Sequence, residues 1–465
     1  MLKQALGDSV LYASSAVLPR GIMLGLLPLI TRLLGPADYG ALDLLVVFGI
    51  AVQLVFPLEV SQGLARHWSE SQDAAARRGY ASASLWFSVL AYALFAASGW
   101  SFAAPLAALL LGDAGRLAEI RIAVAVICLG GLVYLAHQQL RWDLRVRSYV
   151  AVAVLQALLV PGLAVAAAWL HGGLFAFLCG QLVGQAIVLG VLLVLLRGTY
   201  TLDFPVVSLR RMLAFSLPLV PSGIAVLAAQ YADRVLVKEL LSLEHLGAYS
   251  VAARVGSIVA LSVMGLQLAV TPLVYRHAAD PAMPETVARL FRIAWAVALC
   301  GATALGLFAA EIIHVLAGPG FADASGAVYL LCLAAPLATF YVYAPGLALA
   351  KRTGAIALAN TLAAILGVAL GLALVPRFGL AGAAASTLCA ACTGFAVHVL
   401  AGKRHVRVPY PWMRALALLG LSAGAMTLSD SHAAARALAA CLVAAAAALL
   451  MWPPRSRRVP DHVRA

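Results

Sequence analysis

Apolar segments of about twenty residues follow one another along almost the whole chain and are separated by short polar segments. A helix of that length crosses the hydrocarbon core of a bilayer, where the backbone must satisfy its own hydrogen bonds. Charged residues make up only 11% of the 465 residues, whereas soluble domains carry about 25%. The sequence therefore predicts an all-α polytopic membrane protein with about fourteen transmembrane helices. The predicted spans are 9–31, 41–60, 81–103, 120–138, 150–170, 174–196, 213–237, 248–271, 290–313, 326–349, 354–375, 380–401, 411–428 and 434–452.

Lysine and arginine alternate between the segments that join these spans. Cations in the first four residues of a span are counted with the segment before it. With the N-terminus inside, the inner segments then hold 23 of the 32 cations, the outer segments hold six, and three lie within spans. The positive-inside rule then predicts that both termini are cytoplasmic. Because topology accounts for most of the cations, the net charge of +13 does not indicate a nucleic-acid partner.

The joining segments are too short to hold a soluble catalytic domain, so we do not expect an enzyme. Cys389 and Cys392 have the spacing of a redox or metal motif, but no histidine or second cysteine pair follows them. Small apolar side chains packed in a helix explain them more simply. We therefore expect no metal site and no catalytic residue.

A half-length repeat divides the chain. Residues 33–41 (LLGPADYGA) return 207 residues later as residues 240–248 (LLSLEHLGA), and Gly173 returns as Gly379 at an offset of 206. Two nearly equal offsets at opposite ends of each half predict two six-helix lobes. Since each lobe has an even number of spans, a pseudo-two-fold axis along the membrane normal should relate them.

The repeat also predicts the boundaries of the domains. These are an N-terminal six-helix lobe (1–200), a C-terminal six-helix lobe (201–405), and an appended pair of helices with a basic cytoplasmic tail (406–465).

Three arginines lie within predicted spans, where an ionisable group is costly and by default marks a functional interior. Arg20 lies near the middle of the first span, and Arg234 and Arg254 lie in the seventh and eighth. Guanidinium groups match phosphate oxygens, so these residues favour an anionic cargo. Gln53 and Gln230 would add uncharged hydrogen-bonding groups to the same substrate-binding set. The alternative for Arg20 is a structural contact with a neighbouring carbonyl or with Glu59.

Asp233 and Glu59 are the most obvious carboxylates for ion coupling in the spans. Asp233 cannot face the adjacent Arg234 well on a helix, so we expect an interhelical partner such as Arg254. Glu59 is expected to pair either with Arg66 at the membrane surface or with Arg20 in the interior. For both carboxylates, a structural ion pair and a role in coupling remain alternatives.

Three motifs carry a family resemblance: residues 32–40 (RLLGPADYG), residues 232–237 (ADRVLV) followed by residues 246–254 (LGAYSVAAR), and residues 376–384 (PRFGLAGAA). In this order and sidedness they resemble motifs of the Wzx-type polysaccharide flippases. These form the polysaccharide transport family of the multidrug/oligosaccharidyl-lipid/polysaccharide exporter (MOP) superfamily. The resemblance runs from about residue 8 to residue 400.

The resemblance implies a flippase of the bacterial inner membrane. It would move an undecaprenyl-diphosphate-linked oligosaccharide from the cytoplasmic to the periplasmic leaflet by alternating access, for O-antigen or exopolysaccharide synthesis. Gly35, Pro36, Gly40 and Gly247 would be the hinges. No cofactor is implied, and H⁺ or Na⁺ would be the coupling ion. Expected partners are the lipid-linked oligosaccharide, membrane lipids, a polysaccharide polymerase and glycosyltransferases. Helices 13 and 14 would form a lipid groove.

Two other functions remain open. A cation-coupled multidrug exporter belongs to the same superfamily, but cationic drugs need an acidic cavity, and the predicted spans hold more arginines than carboxylates. A membrane polymerase or glycosyltransferase would need large outer loops with catalytic residues, which the short joining segments do not provide.

Overall fold

The computed structural model describes residues 2–278 and 280–451, and these residues form helices with no β-strand among them. This agrees with the predicted all-α membrane fold, because a helix satisfies its backbone hydrogen bonds within one apolar segment. The predicted basic tail from residue 452 onward lies outside the described residues.

The helices of the first half are α1 (Leu2–Val55), α2 (Val60–Glu70), α3 (Ala74–Ser101), α4 (Ala103–Leu111), α5 (Leu117–Trp142), α6 (Val146–His171), α7 (Gly173–Leu195), α8 (Val206–Ser216) and α9 (Leu219–Leu240). Of these, α1, α3, α5, α6 and α7 are long and apolar, whereas α2, α4 and α8 are short.

The second half follows the same plan. Its helices are α10 (Leu243–Arg276), α11 (Met283–Leu307), α12 (Ala309–Ala317), α13 (Ser325–Leu337), α14 (Gly346–Leu349), α15 (Thr353–Gly402), α16 (Trp412–Ala425) and α17 (Ala433–Met451). Short 3₁₀ helices cover Pro319–Ala324, Phe340–Tyr343 and Met426–Leu428.

Ten helices of the described chain are long and apolar enough to span a membrane, or eleven if the bent pair α8–α9 forms one span. The prediction of fourteen differs for a structural reason. Helices α1 and α15 each contain two predicted spans that continue through a kink, and α16 with its 3₁₀ extension is short for a full span. The predicted spans therefore coincide with helical parts of the chain, although some of them, such as 326–349, run over several short helices.

The two kinks lie at glycines with a backbone conformation that other residues rarely adopt. Gly35 has φ 70° in α1, and Gly379 has φ 56° in α15. Positive φ is accessible to glycine without a steric penalty from Cβ. Gly35 was predicted as a hinge, and it is the point at which α1 leaves helical geometry.

Contacts divide the chain into two compact units. The first unit contains residues 1–231 together with Ser242–Gly247 and Leu316–Gly320. The second unit contains Ala232–Leu241, Ala248–Val315 and the chain from Phe321 onward, which includes the predicted appended pair α16–α17. The predicted division into lobes at residue 200 stays a prediction.

The core of the first unit is built from the apolar faces of α2, α3, α5 and α8. Leu64 and Met212 are buried there together with Tyr80 and Leu135. A second cluster joins α5, α6 and α7 around Leu140, Val152 and Leu192. The first of these clusters holds the short helix α8 against α2, α3 and α5.

Aromatic rings fill one end of the second unit. The ring of Phe291 lies 5.9 Å from Phe340, 5.8 Å from Phe395 and 5.0 Å from Tyr410, measured between centroids. Phe291 is fully buried. The cluster joins α11 and α15 to the segment that leads into α16.

Polar contacts attach α16 and α17 to the rest of the second unit. The Trp295 indole N–H donates to the carbonyl of Ala415 at 3.1 Å. The Arg436 guanidinium donates to the carbonyl of Leu307 at 3.1 Å, forms an ion pair with Glu311 and lies 4.9 Å from the centre of the Phe308 ring. Arg436 of α17 therefore contacts the last residue of α11, Phe308 in the break and Glu311 at the beginning of α12.

Candidate hinge, substrate and coupling sites

The first hinge segment is held by a carboxylate for which the sequence analysis gave no role. The Asp38 carboxylate accepts from the Arg116 guanidinium at 2.8 Å and from the backbone N–H of Leu174 at 3.2 Å. Arg116 also donates to Glu119 at 3.1 Å. Asp38 therefore connects the segment after Gly35 to the beginnings of α5 and α7. The sequence signal for this contact was that Asp38 and Arg116 have opposite charge and both lie in segments predicted on the outer side of the membrane.

Arg116 lies just before α5 and is partly buried. Burial lowers the pKa of its guanidinium, but the hydrogen bonds and charges of Asp38 and Glu119 outweigh burial, and the pKa is raised above its usual value. The charged form of the Arg116 guanidinium is therefore favoured in this site.

The two copies of the repeated segment touch through their glycines. A Cβ on Gly40 would overlap the carbonyl oxygen of Leu243 and would lie 2.8 Å from the backbone nitrogen of Gly247. A Cβ on Gly247 would overlap the carbonyl oxygen of Pro36 and would lie 3.1 Å from the nitrogen of Gly40. Both glycines lie inside helices, α1 and α10, and both are buried. Their requirement is close backbone approach, whereas positive φ is the requirement at Gly35.

This contact is reciprocal in terms of the repeat. Pro36 corresponds to Leu243 at the offset of 207, and Gly40 corresponds to Gly247. Each glycine meets the carbonyl that lies four residues before the other. Small residues permit such close crossings of membrane helices.

A second polar site surrounds Asp233 in the second unit. The Tyr249 hydroxyl donates to Asp233 Oδ2 at 2.7 Å, and the Thr387 hydroxyl donates to the same oxygen at 3.3 Å. Asp233 Oδ1 accepts from the backbone N–H of Arg234 at 2.8 Å and lies 3.4 Å from its guanidinium. The carboxylate thus joins α9, α10 and the second half of α15.

Asp233 has partners on other helices, and it also pairs with the adjacent Arg234, a pairing that the prediction disfavoured. An interhelical partner was expected, with Arg254 as the example. The structure supplies two hydroxyl groups from other helices, and Tyr249 is fully buried. The Asp233 and Arg234 side chains are 14% and 18% exposed, so both remain accessible from one side. Tyr249 stands in the motif 246–254, but nothing in the sequence singled it out.

Glu59 lies in a break between α1 and α2. It follows Leu58, and both residues have positive φ, at 54° and 50°. Burial raises the pKa of the Glu59 carboxyl above its usual value, and a hydrogen bond with Gln62 offsets this only in part. Backbone strain of this kind often marks functional positions.

The predicted pairing of Glu59 with Arg66 was wrong. The Arg66 guanidinium instead pairs with Glu70, four residues further along α2, at 3.2 Å. It also lies 4.6 Å from the centre of the Phe215 ring. Glu70 lies one helical turn from Arg66 on the same helix, whereas a break in the backbone separates Glu59 from α2.

The remaining candidates are distributed over both units. Arg20, Gln53 and Gln230 belong to the first unit, where Arg20 and Gln230 are exposed and Gln53 is half-buried. Arg254 belongs to the second unit, as do Asp233 and Arg234, and is half-buried. No group of three or more potential metal ligands occurs among the described residues.

The helices define a polytopic α-helical membrane protein. The chain belongs to the polysaccharide biosynthesis protein family, whose model matches residues 29–326.

Solved structures confirm the fold. The chain is similar to the lipid II flippase MurJ in an inward closed conformation, with a TM-score of 0.74, 14% identity and coverage of 95% of this chain and 98% of that one. The chain is also similar to an inward-facing multidrug resistance MATE family transporter of the MOP superfamily. The TM-score is 0.65, the identity is 15%, and the match covers 87% of this chain and 94% of that one. A third similar structure is a MOP superfamily transporter from Pyrococcus furiosus, which is described by the reverse polarity of its binding pocket. Its TM-score is 0.57, its identity is 15%, and the match covers 88% of this chain and 96% of that one. No curated protein sequence matches this chain.

Proposed function

We propose that this protein moves an undecaprenyl-diphosphate-linked oligosaccharide from the cytoplasmic to the periplasmic leaflet of a bacterial inner membrane. The observation that carries the proposal is the match of residues 29–326 to the polysaccharide biosynthesis family on a fold shared with a lipid II flippase. Both termini would be cytoplasmic, as the alternation of cations requires. A polysaccharide polymerase and glycosyltransferases would be its functional partners.

In this proposal the arginines hold the diphosphate. Arg20, Arg234 and Arg254 would supply the cations, with Gln53 and Gln230 as hydrogen-bonding groups toward the sugars. Guanidinium groups suit this task because their planar donors match two phosphate oxygens at once. The lipid tail would stay in the bilayer.

Alternating access would separate and re-form the contact between the two repeated segments. The Gly40–Gly247 crossing supports this idea because its backbones meet without intervening side chains and can close to a fixed register. Gly35 provides the point at which α1 can bend.

Asp233 would couple the cycle to an ion gradient. Its three partners stabilise the carboxylate in a helical interface, and a bound cation would compete with Arg234 for it. Arg234 would then be released toward an anionic substrate. Glu59, whose pKa burial raises, is the second candidate. H⁺ and Na⁺ remain the alternatives for the ion.

The test is complementation in a strain whose own copy has been deleted. The deletion should accumulate lipid-linked oligosaccharide that is inaccessible from the periplasm and should lose surface polysaccharide. Arg20→Ala and Asp233→Asn should fail to restore export at wild-type protein levels, whereas Arg147→Gln, at an exposed arginine on α6, should restore it. Full export by Arg20→Ala would refute the proposed role of that cation.

A multidrug exporter is the second candidate. The chain shares its fold with MATE transporters, and the Asp233 carboxylate accepts a hydrogen bond from Tyr249 in a helical interface. A drug-susceptibility panel on the deletion strain separates the two. Increased sensitivity to cationic drugs with unchanged polysaccharide would favour the exporter.

A further inference from the structure

A cavity of about 680 Å³ lies in the second unit, where the last turns of α15 meet the segment that leads into α16. Its lining changes character along the chain. Up to Gly402 it is mainly apolar and includes Leu400, which is 56% exposed. Beyond Gly402 the lining includes the cations Lys403, Arg404 and Arg407.

The cations of this cavity have no carboxylate near them in sequence. The chain contains no aspartate or glutamate between Asp323 and Asp430. Lys403, Arg404 and Arg407 are exposed, and no ion pair of these three is found within the described part of the chain. The cavity therefore offers positive charge to an anion from outside the protein.

Aromatic residues fix the basic segment in place. The Tyr410 hydroxyl donates to the carbonyl of Tyr343 at 2.6 Å, and the Tyr410 and Trp412 rings lie 4.9 Å apart. Trp412 lines the cavity and is 43% exposed. Tryptophan and tyrosine are typical of the level of lipid headgroups, because their rings are amphipathic.

The apolar part of the cavity begins at Ala396, and the helix ends at Gly402. Six residues of helix span about 9 Å. The ligand would thus meet cations at the membrane surface and apolar side chains about two turns deeper. The positive-inside rule explains the presence of the cations, but it does not explain a cavity with an aromatic wall.

We propose that this cavity binds the phosphate of an anionic lipid headgroup, with Arg404 and Arg407 on the phosphate oxygens and Leu400 and Trp412 against the carbons next to the headgroup. Basic pockets between membrane helices on the cytoplasmic side commonly bind such headgroups. Two lipids share this chemistry, an anionic phospholipid and a polyprenyl diphosphate. The proposal does not depend on the proposed transport function.

Native mass spectrometry of the purified full chain tests the proposal. The protein is titrated separately with phosphatidylglycerol, phosphatidylcholine and undecaprenyl diphosphate. The double variant Arg404→Gln with Arg407→Gln should weaken binding of at least one anionic lipid by roughly tenfold or more. The matched control, Arg147→Gln with Arg210→Gln, removes the same charge from exposed positions on α6 and α8 and should change binding by less than about twofold.

The outcomes separate the sources. Weaker binding of phosphatidylglycerol assigns the cavity to bulk phospholipid, and weaker binding of the diphosphate alone assigns it to the carrier lipid. Equal weakening in the control variant, or equal weakening for zwitterionic phosphatidylcholine, would overturn the proposal. The lysine variant, Arg404→Lys with Arg407→Lys, guards against misfolding. It should keep most of the affinity and elute as a single species in size-exclusion chromatography.

Discussion

Gly40 and Gly247, which are 207 residues apart, meet backbone to backbone, and neither position has room for a Cβ. The same residues mark the internal repeat of the sequence. One pair of equivalent positions therefore forms a contact between its own two copies, and the proposed alternating movement would act on this contact.

Gly40→Ala should destabilise the protein by about 2 kcal/mol, because the new methyl group would overlap the carbonyl of Leu243 and the backbone must shift. Thermal unfolding in detergent measures the change. Gly25→Ala is the matched control in the same helix, since nothing lies within 4 Å of its Cβ position. Equal melting temperatures for the two variants would mean that the crossing is not tight.

Asp38→Asn should cost about 1 kcal/mol of stability, because the amide cannot replace both charge-assisted bonds to Arg116 and Leu174. A double-mutant cycle with Arg116→Gln measures the coupling between the two side chains. The exposed pair Arg66 and Glu70 serves as the reference and should give about 0.5 kcal/mol or less. Additive effects of the two substitutions would mean that the bond between Asp38 and Arg116 does not contribute to stability.

Tyr249→Phe should destabilise the protein by about 1–3 kcal/mol, because it removes a buried donor to the Asp233 carboxylate. Chemical or thermal unfolding reports the loss. Tyr275→Phe is the control, since Tyr275 is 58% exposed and lies on the same helix. A loss of similar size in both variants would show that the hydroxyl contributes nothing specific at Asp233.

The ion pair between Glu311 and Arg436 should make stability depend on pH. The hydrogen bond from Arg436 lowers the pKa of Glu311 in the folded state. The pair therefore stabilises the fold above the unfolded pKa of about 4.3, and this contribution is lost as the pH falls through the folded pKa. Glu311→Gln should lower the melting temperature at neutral pH, with a gap that closes in acid. Asp203→Asn, at an exposed position, should show no such gap.

Glu59 should show the opposite pH dependence. Its pKa is raised by burial, so the charged form costs stability above the folded pKa, and that cost disappears as the pH falls below it. Glu59→Gln should therefore raise the melting temperature at neutral pH, with a benefit that fades toward about pH 4. A constant difference from neutral to acidic pH would rule out titration of Glu59 as the cause.

Several features of the site could be read from the sequence because they depend on local patterns. The helix break at Gly35 follows from a local pattern, since glycine followed by proline favours a break in a helix, and a hinge role there stays a prediction. The helices lie where the apolar segments predicted them, since hydrogen bonding in lipid leaves a single segment little choice. The partner of Arg66 was not predicted, because nearness at the membrane surface suggested Glu59, whereas Glu70 lies one helical turn along α2 and pairs with Arg66 at 3.2 Å.

The sequence by itself determined that the chain is an all-α polytopic membrane protein with a repeated half. Hydropathy and the offset of a repeat can be read along the chain without knowing which residues meet in space. Only the tertiary structure decided which residues meet. Tyr249 and Thr387 bond Asp233 from helices that are distant along the chain, and Gly40 fits against Gly247 through backbone shape alone. Such contacts depend on how helices cross, and the crossing is set by packing over many side chains at once, which no local pattern records.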